Sequence, residues 1–332
     1  MVFYYKELPL FYTIVGDSHS RQTGYFYPFL LRIIYKITGA YFSFSKTFVT
    51  LDFPQIPMKF TVLGSGSTGN SVLISTEKTR VLVDAGLSAK QTLLRLGEVG
   101  EDFEKLDGVL ITHEHGDHAG GLRVLLNTVE CPVFISEKTH EAYLRPKKSA
   151  NAEKERMLRA KKLKNNTVAI ESDKEFRIGD IDFEPFSVPH DAADNFGFVA
   201  KNRGYRVATL MDFGHFTPLV NEKLQKCDGI VIESNHSIDM LKACPVYSWD
   251  LKQRISSDTG HLSNEALSAW LENDYDGSAQ DIVLTHLSQK ANEPNLAKLT
   301  AESALKMRSP LFQTDTKISL SRHDKPTDWI EF

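Results

Sequence analysis

Thr112-His113-Glu114-His115-Gly116-Asp117-His118-Ala119-Gly120-Gly121 sets three imidazoles and two carboxylates in ten consecutive residues. Imidazole nitrogen and carboxylate oxygen are the donors that borderline divalent ions such as zinc, iron and manganese accept, so the stretch reads as a metal site. Ordinary loops spend Ser, Asn, Gly and Asp instead. The apolar run before it, Leu106 to Thr112, has the composition of a buried strand, and Gly121 to Asn127 behind it starts a helix. The ligands therefore occupy a turn between a strand end and a helix start. Consecutive residues leaving a strand do not share a face, which lets His113 and His115 approach one ion while Asp117 and His118 approach another.

A dinuclear site needs more ligands than one turn supplies. Working outward, three polar residues end apolar runs in the same manner: His190 after Ile181 to Pro189, Asp212 after Arg206 to Met211, and His286 after Asp281 to Thr285. Taken singly, each is as consistent with a satisfied structural residue as with a ligand. Together with the first turn they make a set.

These residues resemble the pattern of the metallo-β-lactamase superfamily: an early Asp, His-x-His-x-Asp-His, a lone His, a bridging Asp and a final His. Asp84 in Arg80-Val81-Leu82-Val83-Asp84-Ala85-Gly86 matches the early Asp, and His113, His115, Asp117, His118, His190, Asp212 and His286 match the rest in order. The resemblance implies two divalent ions, zinc, manganese or iron. His113, His115 and His190 would hold one, Asp117, His118 and His286 the other, with Asp212 between them. Asp84 would orient a ligand rather than bind metal. The implied fold is α/β, a four-layer αββα sandwich built from two βα halves.

Four further segments narrow the likeness: Phe60 to Ser71, Val231-Ile232-Glu233-Ser234-Asn235-His236, Ser257-Asp258-Thr259-Gly260-His261-Leu262-Ser263-Asn264, and Leu284 to Gln289. They resemble the YycJ (WalJ) type exonuclease branch over about Met58 to Arg308. That branch implies 5′-to-3′ exonuclease activity on DNA. His261 is similar to the proton-donating His of the tRNase Z relatives, the alternative being a cap-and-turn segment. Two cations about 3.5–4 Å apart would generate hydroxide near neutral pH and stabilise both oxygens of an in-line displacement. Asp117 is then part of the catalytic set. His261 or, failing it, His236 would protonate the departing alkoxide. Ser234 and Asn235 are candidate hydrogen-bond donors to phosphate. Gly64 to Asn70 reads first as a Gly-rich hairpin turn, with phosphate contact through its amides as the alternative.

At 332 residues and 41% hydrophobic, the chain is long enough to bury a full two-sheet core. Cys131, Cys227 and Cys244 are odd in number and scattered, which favours reduced thiols and a cytoplasmic protein. A formal net charge of −4 argues against indiscriminate coating of nucleic acid, although a DNA substrate gripped locally is compatible with it. The local basic segment is Arg145 to Lys164, in which Lys161, Lys162 and Lys164 are candidate phosphate contacts, against the equally open reading of a solvated helix with paired charges.

The chain divides by sequence into an N-terminal extension, residues 1–57, a hydrolase domain, 58–308, and a C-terminal strand and tail, 309–332. Within the extension, Tyr25 to Phe48 is aromatic, lacks acidic residues and carries Arg32, Lys36 and Lys46, but no uncharged run approaches the ~20 residues of a membrane span, so no membrane partner is expected. Because the family-like sequence starts at Met58, a misassigned start is the leading explanation of the extension. Rival functions are a thioesterase of the glyoxalase II kind, a small cyclic-phosphate phosphodiesterase, a β-lactamase and, in another class, a noncatalytic nucleic-acid-binding scaffold.

Overall fold

The computed structural model describes residues 58–145 and 151–332. Expectations for residues 1–57, and for Lys147 and Lys148, fall outside the described residues. Strands β1 (Lys59–Gly64), β2 (Ser71–Ser75), β3 (Arg80–Val83), β4 (Gly108–Leu110), β5 (Val133–Ile135) and β6 (Thr167–Ala169) belong to the first half of the chain. The second half supplies β7 (Phe176–Ile178), β8 (Ile181–Ser187), β9 (Phe196–Asn202), β10 (Tyr205–Leu210), β11 (Gly229–Glu233), β12 (Asp281–Thr285), β13 (Lys317–Leu320) and β14 (Ile330–Glu331). They form two seven-stranded sheets, ordered β14-β1-β2-β3-β4-β5-β6 and β13-β12-β11-β10-β9-β8-β7.

The strands read as continuous apolar runs because both faces of each sheet are covered. On β2, Val72 and Ile74 enter the core between the sheets while Leu73 enters the core beneath the outer helices, and β3 repeats this with Val81, Val83 and Leu82. On β12, Val283 faces the partner sheet and Ile282 and Leu284 face the helices Asn264–Asn273 and Pro294–Met307. Period-two alternation thus feeds three apolar layers, and three such layers between two sheets and two layers of helices are the αββα sandwich that the resemblance implies.

The C-terminal segment differs from the expected strand and polar tail. The sequence predicts a closing strand over Phe312 to Leu320 and a polar tail from Arg322; Pro310–Phe312 is instead a 3₁₀ turn, and the strand is Lys317–Leu320, parallel to β12. The tail then crosses to the other sheet, where Ile330 and Glu331 pair with Phe60 and Lys59 of β1. Phe332 stacks on Phe60 at 6.1 Å and on Tyr205 at 5.7 Å. One face of the segment is apolar only every few residues, which conceals the strand from a periodicity reading. The three cysteines are free and buried, and burial pushes the thiols of Cys131 and Cys227 up to about 12. No helix among the described residues is long and apolar enough to cross a membrane.

Candidate metal centre

Every candidate ligand leaves the C-terminal end of a strand at one edge of the sandwich. Asp84 follows β3, His113 to His118 follow β4, Asp212 follows β10 and His286 follows β12. Asp84, Asp212 and His286 adopt left-handed backbone, with φ of 64°, 56° and 52°. That conformation is costly for residues with a Cβ, about 1–3 kcal/mol each. Here it turns the chain sharply so that a side chain at a strand end points into the cleft. Gly86 serves the same end differently: a Cβ there would overlap the Asp117 carbonyl oxygen, and its absence lets the metal turn sit against β3.

Asp212 Oδ2 is the focus of the arrangement. It lies 3.4 Å from His113 Nε2, 3.2 Å from His118 Nε2 and 3.6 Å from His190 Nε2. Donor atoms of His113, His115, His190 and Asp212 fall within 4.8 Å of one another, as do those of Asp117, His118, Asp212 and His286. These two groups share only Asp212, the grouping the resemblance implies, and a third group, Asp212, Glu233, His261 and His286, overlaps the second. His113 Nε2 is buried without a hydrogen-bond partner, which an imidazole tolerates poorly unless a cation completes it. The donor set therefore fits divalent metal.

The Nδ1 side of three of the rings is held. His118 Nδ1 lies 2.6 Å from Asp84 Oδ2, and Asp84 Oδ1 also accepts from Thr112 N and Thr112 Oγ1 at 2.9 and 3.0 Å. His190 Nδ1 faces Gly260 O at 3.2 Å and His286 Nδ1 faces Glu233 Oε1 at 2.7 Å. Such contacts fix the tautomer and leave Nε2 free for a metal. Burial, reinforced by neighbouring imidazoles, holds His113 and His115 below the ordinary histidine range, and burial lowers His190 as well, so their lone pairs are available. Burial opposes charge at Asp212 too, but His286 and His118 override it and keep this carboxylate well below its usual range. The same pairing raises His118 and His286 despite their burial.

Glu233 is the functional residue that sequence reasoning passed over. It ends β11 fully buried, and its Oε1 lies 2.8 Å from His261 Nδ1 as well as 2.7 Å from His286 Nδ1. Its Oε2 accepts from Phe213 N and Leu262 N at 3.0 and 3.1 Å. With its four hydrogen-bond sites filled, the carboxylate stays ionised, down to about 2, against the cost of burial. The available signal was an acid closing the apolar run Gly229 to Ile232, the same signature that marked His286. His261 lines the cleft, and although burial works against its charge, Glu233 and then Asp212 raise its pKa above the ordinary value.

Other candidates are placed elsewhere. Ser234 is fully buried and donates to Asn264 Oδ1 at 2.7 Å, so its hydroxyl is not offered to a substrate. Asn235 lines the cleft, yet its Nδ2 is committed to His286 O at 2.8 Å. His236 lies behind the cleft, 2% exposed, and burial lowers it to about 4, which leaves it neutral and unsuited to donate a proton at pH 7. Lys161 and Lys162 are on the helix Ala152–Leu163 and Lys164 follows it, none lining the cleft; Lys162 Nζ donates to Leu126 O at 3.1 Å. The Gly64 to Asn70 turn braces the centre: Gly66 N bonds Asn70 Oδ1 and Asn70 N bonds Asp117 O, at 2.9 and 2.7 Å. The cleft, about 380 Å³, is also lined by Tyr247, Leu251 and Arg254, the last paired bidentately with Asp191 beside His190.

A family model for the beta-lactamase superfamily domain matches residues 79–287. Exodeoxyribonuclease WalJ of Streptococcus pneumoniae serotype 2 (strain D39 / NCTC 7466) is 34% identical over 279 residues, 83% of this chain and 99% of that protein. Exodeoxyribonuclease YycJ of Bacillus anthracis is 32% identical over 256 residues, 75% of this chain and 89% of that protein. Among solved structures, the metallo-beta-lactamase fold protein YhfI from Bacillus subtilis superposes with a TM-score of 0.60 at 16% identity, covering 84% of this chain and all of that one, a likeness of fold.

Proposed function

We propose that this chain, which belongs to the beta-lactamase superfamily and within it to the exodeoxyribonuclease WalJ/YycJ branch, degrades DNA from the 5′ end with two divalent metal ions. That it is a metal-dependent hydrolase of the nuclease kind follows from its family. The number of ions, the direction of digestion and the residue roles are our reading. The observation that carries it is Asp212, one buried carboxylate at the junction of two histidine-rich pockets. We place the protein in the cytoplasm on the strength of its three free thiols.

A pair of zinc or manganese ions there would supply Lewis acidity toward a phosphodiester and acidify water between them. The chain's own residues do the rest. Asp212 and Asp117 provide the negative charge that balances two cations, and Asp84, through His118 Nδ1, keeps one ligand in register. His261 carries the proton needed by the departing 3′ oxygen. Glu233 holds its Nδ1 and favours the protonated ring against the cost of burial, leaving Nε2 as the nitrogen offered to the cleft. A leaving alkoxide at pH 7 requires such a donor.

The experiment is a substrate panel: protein loaded with Mn²⁺ or Zn²⁺ against 5′- and 3′-labelled single-stranded and duplex DNA, RNA, bis-p-nitrophenyl phosphate, S-lactoylglutathione and a cephalosporin. Early release of mononucleotide from 5′-labelled DNA, abolished by chelator, is the expected result. Turnover of S-lactoylglutathione with DNA left intact would replace the nuclease by the thioesterase.

A further inference from the structure

A second cavity adjoins the metal cleft and is the larger of the two, about 710 against 380 Å³. The cavities share Leu287 and Ser288, the residues directly after His286, so they adjoin beside a candidate metal ligand. Its walls come from three places: Ser65 in the β1–β2 turn, the start of the helix Pro294–Met307 with the loop before it, and the segment Leu320 to Asp324 after β13. The lining offers polar groups, including Ser288, Gln289 and Asn295, together with Arg322, His323 and the carboxylate of Asp324, while Asn292 is held by Ser234 O and Asn235 O. It holds no Phe, Tyr or Trp, the residues on which nucleobases stack.

Buried Arg95 supplies an independent indication. It is 5% exposed and forms no ion pair among the described residues. Its Nη1 donates to Leu63 O at 2.9 Å and its Nη2 to His323 O at 3.0 Å, while Nε has no partner. A guanidinium buried without a carboxylate in ion-pair contact is costly to keep, and Glu98 and Asp324 favour its charge only from a distance. Placed between the β1–β2 turn and the 320–324 segment, it locks two walls of the cavity together and leaves a fixed positive charge behind them. Ser65 N completes the joint by donating to Arg322 O at 3.1 Å.

We propose that this groove seats the sugar-phosphate backbone of the DNA next to the scissile linkage, with Arg322 and His323 contacting the adjacent phosphate. Resting on the nuclease reading, it explains how a cleft of modest volume handles a polymer. Arg322 is half exposed and, among the described residues, is ion-paired only with Asp324, its neighbour two residues on, at 2.9 Å, so it can exchange that carboxylate for a phosphate.

The test uses the full chain with Arg322→Ala and His323→Ala combined, loaded with Mn²⁺ and assayed on a dinucleotide, a long single-stranded oligonucleotide and bis-p-nitrophenyl phosphate. KM for the oligonucleotide should rise on the order of tenfold, as expected for loss of a charged hydrogen bond, with its salt dependence flattened by about 0.7 in log–log slope. The advantage of the oligonucleotide over the dinucleotide should shrink, and the small diester should be unaffected. Unchanged KM on the oligonucleotide overturns the groove, as does an equal loss on the small diester. If Lys161, Lys162 and Lys164 changed together to Gln flatten the salt dependence while the groove variant does not, the strand runs over that helix instead. Failure of the unaltered protein to cut any DNA would remove the nuclease reading itself, before the variants are compared.

Discussion

In the proposed mechanism His261 and Glu233 divide one task between a residue that touches the leaving group and one that positions it. His261→Ala should keep its metals and most of its affinity for DNA yet lose on the order of 10²–10⁴ in kcat on DNA. On bis-p-nitrophenyl phosphate, whose leaving group departs without a proton, the loss should be far smaller. Equal losses on both substrates, or loss of metal, would make His261 structural or a ligand. At this scale the ligand candidates were legible because chemistry restricts them: few side chains bind divalent ions, and they stand at the ends of apolar runs. Ser234 and His236 were misread because sequence does not say which way a residue leaves a strand. Ser234 turns to Asn264 and His236 retreats behind the cleft, whereas their neighbour Glu233 faces two imidazoles.

Strands were legible where burial on both faces made them continuously apolar, as in β11 and β12, and illegible where short polar segments become strands only through their partners. β14 is the clearest instance. Thr327, just before it, receives Val62 N on its hydroxyl at 3.0 Å and Thr61 Oγ1 on its carbonyl at 2.9 Å, and Trp329 Nε1 donates to Val99 O at 3.0 Å. Lys59 Nζ sits 3.8 Å over the Trp329 ring. Deleting residues 326–332 removes these contacts and the stacked Phe332, and it bares the edge of β1. Truncating a fully buried aromatic costs about 3–5 kcal/mol, and with two partly buried ones, Trp329 and Phe332, lost together, thermal denaturation should shift down by roughly 10 °C. A deletion variant melting with the full chain would show that the edge strand adds nothing to the sandwich.

Across the whole molecule, the two sheets exist for one edge. The first brings Asp84 and the His113 to His118 turn, the second brings His190, Asp212, Glu233 and His286, and the apolar layer between them fixes their separation. Architecture of this kind followed from the family-like residues, while the groove beside the cleft did not, because its walls come from segments more than two hundred residues apart in sequence. Asp212 is where the halves meet, and the central claim is that its carboxylate serves two ions. The direct measurement is metal content by mass spectrometry alongside DNA hydrolysis, for the unaltered protein and for Asp212→Ala of matched circular dichroism. Two equivalents per chain are expected in the former, and depleted occupancy of both sites with hydrolysis abolished in the latter. Near-normal turnover with a single equivalent bound would contradict the account.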